Sequence, residues 1–462
     1  MNEEQNINQL PKGWKWEVSS NILDIRDGTH DTPKYVNENG IPLITSKNLK
    51  QNKIDFEKVS YISKEDHAEI SKRSKVEAGD ILFAMIGTIG NPAIIKGDAN
   101  FSIKNVGLFK KNEDEILPSF LVNFLRSHTF EKQLNERKLL KGTTQKFIPL
   151  GNLRNINIPL PPKPTQQAIV SKIEELFSEL DKAIENLSIA QQQLKTYRQS
   201  VLKWAFEGKF TEQWRIKERK LSNGNAFVKQ LNDEREQQQK INKVKLKPIP
   251  PIEDEELLEL PKLPKQFAWA RLGNLLWSVK DGPHYSPKYQ STGIPFISGG
   301  NIRPTGVDFS NAKFISEELH NELSQRCKPE KGDVLYTKGG TTGIARVNTY
   351  DIDFNVWVHV AVLKTLKSIN PFYLEHALNS THCYKQSQKY THGVGNQDLG
   401  LTRMILITLP ICSYEEQGEI VQEIESRLSV ADKMEESITQ SLQQAEALRQ
   451  SILKKAFEGQ LV

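Results

Sequence analysis

Two histidines stand in the same local pattern, Asp27-Gly28-x-His30 and Asp281-Gly282-x-His284, each leading to Pro-Lys-Tyr (Pro33 to Tyr35, Pro287 to Tyr289). A histidine near a carboxylate could act as a general base or a metal ligand. No other His or Cys is spaced to complete a metal set, so a turn role or a contact with an anionic partner is the better reading. Gly87-Thr88-Ile89-Gly90-Asn91 and Gly339-Gly340-Thr341-Thr342-Gly343 are glycine-rich, but they lack the lysine and following helix of a nucleotide-binding loop. They read as polar turns able to meet phosphate or bases. An amino-methyltransferase would need an Asn/Asp-Pro-Pro-aromatic motif to hold its target nitrogen, and none occurs. Scattered carboxylates form no recurring cluster. The expectation is no catalytic residue, no metal and no cofactor bound by this chain.

What remains is a set of polar loop residues suited to reading a duplex. In the first half they are Thr29, His30, Lys34, Ser46, Lys47, Asn48, Thr143, Thr144, Gln145 and Lys146. In the second they are His284, Lys288, Ser298, Asn301, Arg303, Lys338, Thr341, Thr342, Arg346, Asn396 and Gln397. Arg and Lys grip guanine O6 and N7, Asn and Gln suit adenine, and any of these can hold a phosphate.

The elements that must position these loops are written twice. Leu10-Pro11-Lys12 with Trp16 recurs as Leu263-Pro264-Lys265 with Trp269. Gly40-Ile41-Pro42 recurs as Gly293-Ile294-Pro295, and Gly79-Asp80-Ile81-Leu82 as Gly332-Asp333-Val334-Leu335. Ala205-Phe206-Glu207-Gly208 recurs as Ala456-Phe457-Glu458-Gly459. The offset stays between 251 and 254, which chance does not produce. Each copy opens with an α+β module, over 10–160 and 263–410. Short β-rich runs (Asp80 to Ile86, Phe354 to Lys364) alternate with helical stretches (Ser63 to Lys72, Pro118 to Leu134).

A helical region follows each module, over 165–208 and 414–459. Ile169, Ile173, Leu176, Leu180, Ala183, Leu187, Ala190, Leu194, Tyr197 and Val201 step by four and three, the seam of a coiled coil. The equivalent positions are Ile420, Ile424, Arg427, Ala431, Met434, Ile438, Ser441, Ala445, Leu448 and Ile452. Matching registers predict that the two seams face each other, antiparallel. Residues 209–262, charged and proline-containing, read as a connector with a helix near Phe227 to Lys240, and a passive solvated linker is at least as good a reading as a partner-docking segment.

Across 462 residues the net charge of +5 looks weak, but it is unevenly distributed. The first module carries 23 basic against 18 acidic residues and the second 16 against 11, so each is +5 and the frame around them is acidic. Two polyanion-facing modules explain that better than a uniformly basic surface. Three widely spaced cysteines, no long apolar run and a start without signal-peptide character predict a cytoplasmic protein.

Several motifs resemble those of type I restriction–modification specificity subunits. They are the entry Pro159-Leu160-Pro161-Pro162-x-x-x-Gln166-Gln167-Ala168-Ile169-Val170, the exits Leu202 to Gly208 and Leu453 to Gly459, and Gly208 to Arg215. The second entry departs from the pattern, with Leu409-Pro410 before Ser413 to Gln417. The resemblance implies two target-recognition domains, two conserved helices and a subunit with no catalysis of its own. It implies double-stranded DNA as ligand and, as partners, two modification subunits that use S-adenosylmethionine to methylate adenine N6. It also implies restriction subunits, motor-nucleases using ATP and Mg. The conserved helices would carry the methyltransferase contacts, and the recognition domains would clamp the duplex while the partner flips its adenine. The rival expectation is a stand-alone bipartite DNA-binding protein without an enzyme partner.

Overall fold

Each module closes on itself through its outermost strands. Lys15–Val18 pairs antiparallel with Asn157–Leu160, and Ala268–Arg271 pairs with Thr408–Ile411. The computed structural model describes residues 10–37, 39–218, 221–242, 248–393 and 397–462. It divides into two units, Met1–Ile189 with Ile438–Val462, and Ala190–Ser437.

In the first unit an antiparallel sheet runs in the order Ile25–Asp27, Val106–Phe109, Ile81–Ala84, Gly90–Ile94. Ile81 to Ala84 are all buried, because both faces of this sheet are covered; hence a continuous apolar run rather than an alternating one. A second sheet orders Ser102–Lys104, Ile41–Thr45, Ser60–Ile62 and Tyr35–Val36, with the first two strands parallel. Ser63 caps the helix Lys64–Ser74 by accepting the Asp66 N–H at 3.0 Å. The stretch expected as one helix over Pro118 to Leu134 is two, Pro118–Leu125 and His128–Glu136. Ser127 interrupts it: its hydroxyl donates to the Phe124 carbonyl and accepts the Phe130 N–H, ending one helix and capping the next.

The second unit repeats the plan. Its main sheet orders Leu276–Asp281, Val360–Thr365, Val334–Thr337 and Ala345–Val347, beside a sheet of Lys313–Ile315, Ile294–Ile297 and Asn355–Val356. The run Phe354 to Lys364 is two strands broken by a turn at 357–359, closed by the Val360 N–H on the Trp357 carbonyl at 2.9 Å. Strand-like composition does not register such a break.

The stretch 209–262 is more than a connector. It forms helices Glu212–Lys217, Gly224–Asn242 and Asp254–Glu259, and buries Phe227 and Leu231 in the core of the second unit. Buried Glu416 accepts from Thr211 Oγ1 at 2.6 Å and Arg215 Nη1 at 2.5 Å, and Arg271 pairs with Glu256 at 2.7 Å. Two apolar side chains spaced one helical turn apart anchor a stretch whose composition is otherwise that of a solvated linker.

The long helices are α1, Lys163–Phe206, and α2, Tyr414–Phe457, 44 residues each. In the first unit the start of α1 (Ile169, Val170, Ile173, Phe177) shares a core with the end of α2 (Ile452, Leu453, Ala456, Phe457). In the second unit the end of α1 (Val201, Leu202, Ala205, Phe206) shares one with the start of α2 (Ile420, Val421, Ile424). The pairing is antiparallel. Twelve of the twenty expected seam positions lie on the packed face: Ile169, Ile173, Leu180, Leu194, Val201, Ile420, Ile424, Ala431, Ala445 and Ile452 are buried, with Leu187 and Ile438 half-buried. At the other eight the inner face is displaced by one residue. Met434 and Leu448 are exposed, at 53% and 51%, and do not belong to the seam; Leu176 is only half-buried beside buried Phe177. The inner face runs instead through Phe177, Ile184, Gln191 and Arg198, and through Leu428, Glu435, Leu442 and Arg449. Arg198 bonds Asp432 at 2.7 Å and Glu435 at 2.8 Å, and its repeat equivalent Arg449 pairs with Asp181. Ion pairs on the seam hide it from a search for apolar residues alone.

The shared motifs hold the modules to these helices. Gln166 accepts the Leu117 N–H at 2.9 Å and donates to the carbonyls of Glu115 and Pro161. Gln417, its equivalent, accepts the Asn370 N–H at 2.8 Å and donates to Ser368 and Cys412. The exit phenylalanines do the same by packing: Phe206 against Tyr373 at 5.2 Å, Phe457 against Phe120 at 5.2 Å. Gly208 and Gly459 then end the helices with φ of 71° and 70°.

Candidate nucleic-acid interface

In each module the loops leaving one edge of the main sheet come together. In the first module, Gly87 N–H bonds the Lys146 carbonyl at 3.1 Å and Ile148 N–H the Met85 carbonyl at 2.9 Å. Lys141 and Phe147 exchange both backbone bonds, so 142–146 form a hairpin tip seated beside the Gly87 turn. Thr143, Thr144, Gln145 and Lys146 are exposed on it. In the second module, Leu399 N–H bonds the Lys338 carbonyl at 2.8 Å and His392 pairs with Asp398, placing exposed Gln397 beside Gly340 and exposed Thr341. Asn396 lies outside the described residues.

The Asp-Gly-x-His motif is an electrostatic anchor. Asp27 is buried and receives Arg73 and, at 2.9 Å, His30 Nε2, whose other ring nitrogen meets Asn105 Oδ1 at 3.0 Å. Asp281 is likewise buried, with Arg326 at 2.9 Å, Lys338 at 3.5 Å and His284 at 3.6 Å. In both, one carboxylate holds an exposed imidazole and an exposed guanidinium at the module's edge, a pair that can face an anion. Lys34, Lys47, Lys288 and Arg303 are also exposed; Arg303 is paired with Asp308 at 2.8 Å.

Other expected readers are internal. Asn48 and Asn301 are buried, and each Oδ1 accepts the backbone N–H and the hydroxyl of the residue three before it, Thr45 or Ser298. These are turn-forming caps, so Asn48, Asn301 and Ser298 are spent on the fold. Ser46 donates to the Asn105 carbonyl at 2.9 Å. Lys338 is buried between Asp398 (2.6 Å) and Asp281, and Thr342 is buried against Gln388 at 3.0 Å. Arg346 is half-buried, with Glu375 at 2.8 Å, and Thr29 is half-buried. A buried charge must be paired, and here the partner is the module itself.

The edge also carries residues absent from the sequence-based set: Lys104, whose Nζ donates to Thr32 at 2.6 Å, Asn105 in the first module, and Tyr285, Trp357 and His359 in the second. A tryptophan inside the apolar run Phe354 to Lys364, where the first module has Lys104, was the available signal. Burial pushes the thiols of Cys327 and Cys383 up to about 12, and raises Cys412 as well, so none is a thiolate nucleophile at neutral pH. Among the described residues no helix is long and apolar enough to cross a membrane.

Fold and edge together define a tandem recognition protein: one α+β module twice, each with exposed cations and amides on one edge, each fixed to an antiparallel helix pair. The Type I restriction modification DNA specificity domain matches residues 11–188 and 271–446, and the chain belongs to that family. It is 24% identical over 479 residues to the specificity subunit of the type I restriction enzyme EcoKI from Escherichia coli (strain K12), covering 98% of this chain and 90% of that one. The EcoBI specificity subunit of Escherichia coli is 29% identical over 235 residues, about half of each chain. A chain from a structure of type I R-M complex assembly and conformational transition shares the fold, with TM-score 0.65, 18% identity and 98% and 99% coverage. So does the HsdS subunit from Thermoanaerobacter tengcongensis, with TM-score 0.54, 20% identity and coverage of 98% of this chain and 99% of that one.

Proposed function

We propose that the chain reads a two-part, asymmetric duplex target and positions the enzymes of a type I restriction–modification complex on it. The observation that carries this is the pairing of like frames with different side chains. The same anchors (Asp27 and Asp281, Gln166 and Gln417) hold loops that differ, with Lys146 where the second module has Gln397 and Lys104 where it has Trp357. Like frames set like geometry on two half-sites, and unlike side chains select unlike sequences. The +5 charge of each module supplies the phosphate attraction, so affinity falls with salt.

Two modification subunits, using S-adenosylmethionine for adenine N6 methylation, and restriction subunits, using ATP and Mg, supply the chemistry. This chain supplies none. It works in the cytoplasm, where the duplex is. Mapping methylated adenine genome-wide with and without the chain tests the reading. The expected result is a split motif that vanishes without it. Replacing 10–160 with the corresponding module of a relative should change one half of the motif only. Equal shortening of α1 and α2 should change the spacer or abolish modification. An unsplit motif, or a swap that alters both halves, refutes the proposal; copurification without any modification subunit would favour a stand-alone DNA-binding protein.

A further inference from the structure

The two modules share a frame, and beside the Asp-Gly-x-His turn on the reading edge their chemistry parts. Gly28 backs onto the carbonyl of Ile103, and Gly282 onto that of Val356: a Cβ there would come within 2.3 Å and 1.7 Å of the oxygen. The residue after that carbonyl is Lys104 in the first module and Trp357 in the second. Both leave the sheet at the same register beside the Asp-Gly-x-His turn.

In the first module Lys104 is followed by Asn105, at φ 54°, which turns the chain directly into Val106–Phe109. In the second the turn is one residue longer, Trp357-Val358-His359 before Val360–Thr365. The indole N–H of Trp357 donates to the Tyr285 carbonyl at 3.2 Å, and its ring lies 4.5 Å from that of His359. His359 is fixed in turn: its carbonyl takes the Lys338 N–H at 2.8 Å, and Gly339 leaves room for its ring, where a Cβ would sit at 2.4 Å. Burial and neighbouring Lys338 hold the His359 imidazole below its usual pKa, which leaves the indole an uncharged neighbour at neutral pH. Indole has one donor and it is spent. The half-buried ring therefore offers a base pair only apolar contact, and in the major groove the group read that way is the C5-methyl of thymine.

We propose that Trp357 is a specificity-determining residue of the second module, reading a thymine methyl, whereas Lys104 at the same register reads its half-site by hydrogen bonding. The inference rests on the DNA-reading function proposed above. It is tested on duplexes carrying the chain's own methylated motif, with the chain assembled with its modification subunits. Each thymine in the half-site assigned to the second module is replaced singly by deoxyuridine, which removes the methyl and nothing else. At one position the wild type should lose roughly fourfold in affinity, the worth of about one buried methyl group. W357A should bind thymine and uracil duplexes equally, W357F should keep part of the preference, and the other half-site should be indifferent to all three. Because the deoxyuridine series is read first on the wild type, misfolding of W357A does not blunt it. No sensitive thymine in that half-site, or equal sensitivity in wild type and W357A, overturns the proposal. Failure of the wild type to distinguish the motif from a scrambled duplex would instead bring down the DNA-reading function itself.

Discussion

Replacing Gln417 by Leu should cut loose the second module from the start of α2. The amide is fully buried and makes three hydrogen bonds, accepting from Asn370 N–H at 2.8 Å and donating to Cys412 and Ser368 carbonyls at 2.9 and 3.2 Å. Leucine preserves much of the volume but strands one N–H and two carbonyls. An unsatisfied buried group costs about 1–3 kcal/mol, and a carbonyl less than an N–H where its second lone pair is used. The sum is about 3–4 kcal/mol. Gln417→Glu should be at least as damaging, since it removes both donated bonds and places a charge where none is paired. Gln166→Leu should cost a similar amount in the first unit, with its bonds to Leu117, Glu115 and Pro161. The two sites share no partner, so their effects should add. Urea unfolding of each variant, followed by tryptophan fluorescence and circular dichroism, gives the numbers. A loss below about 0.5 kcal/mol for either leucine variant would refute the claim that these glutamines lock module to helix.

Three further outcomes follow from the same geometry. Gly282→Ala should destabilise by about 1–3 kcal/mol, because its Cβ falls on the Val356 carbonyl, while Gly418→Ala, with open space at its Cβ inside α2, should stabilise by about 0.5–1 kcal/mol; thermal melts showing the same sign for both would contradict the close approach. Ile424→Ala should cost about 2–5 kcal/mol, and Met434→Gln and Leu448→Gln less than about 0.5 kcal/mol, since only Ile424 lies on the packed face. Comparable losses from all three in chemical denaturation would restore the straight heptad. Burial lowers His376 to about 4, and its Nε2 has no hydrogen-bond partner. The folded state therefore resists protonation that the unfolded chain accepts. Stability is full above about 6.5 and falls as pH drops from there towards 4, by on the order of 3 kcal/mol; His376→Gln should flatten that slope in urea titrations at pH 7.5 and 5, and an unchanged slope would show that the imidazole is solvated.

The parts of the fold legible in the sequence were those encoded by repetition and by local chemistry. Gly79-Asp80-Ile81-Leu82 and its copy mark equivalent strands because turn and apolar run are contiguous in the chain. Ser63 marks a helix start because its cap lies three residues away. The candidate site was less legible. Asn48, Asn301, Lys338 and Thr342 have the composition of surface readers, yet all four are buried: Lys338 and Thr342 against residues distant in sequence, Asp281 and Gln388, and Asn48 and Asn301 as caps of their own turns. Exposure depends on those partners, and type and spacing do not record them.

By itself the sequence determined that one unit of about 250 residues is written twice, that each copy joins a basic α+β module to a long helix, and that no familiar catalytic motif is present. These follow from periodicity, charge and short motifs, all of them local. Tertiary structure decided which part of each helical stripe faces inward, moving the seam onto Phe177, Arg198 and Arg449. It folded 209–262 into the second core and set Trp357 at the register of Lys104. The reason is physical: ion pairs, burial and register are properties of residues brought together across hundreds of positions, and only the folded chain specifies those neighbours.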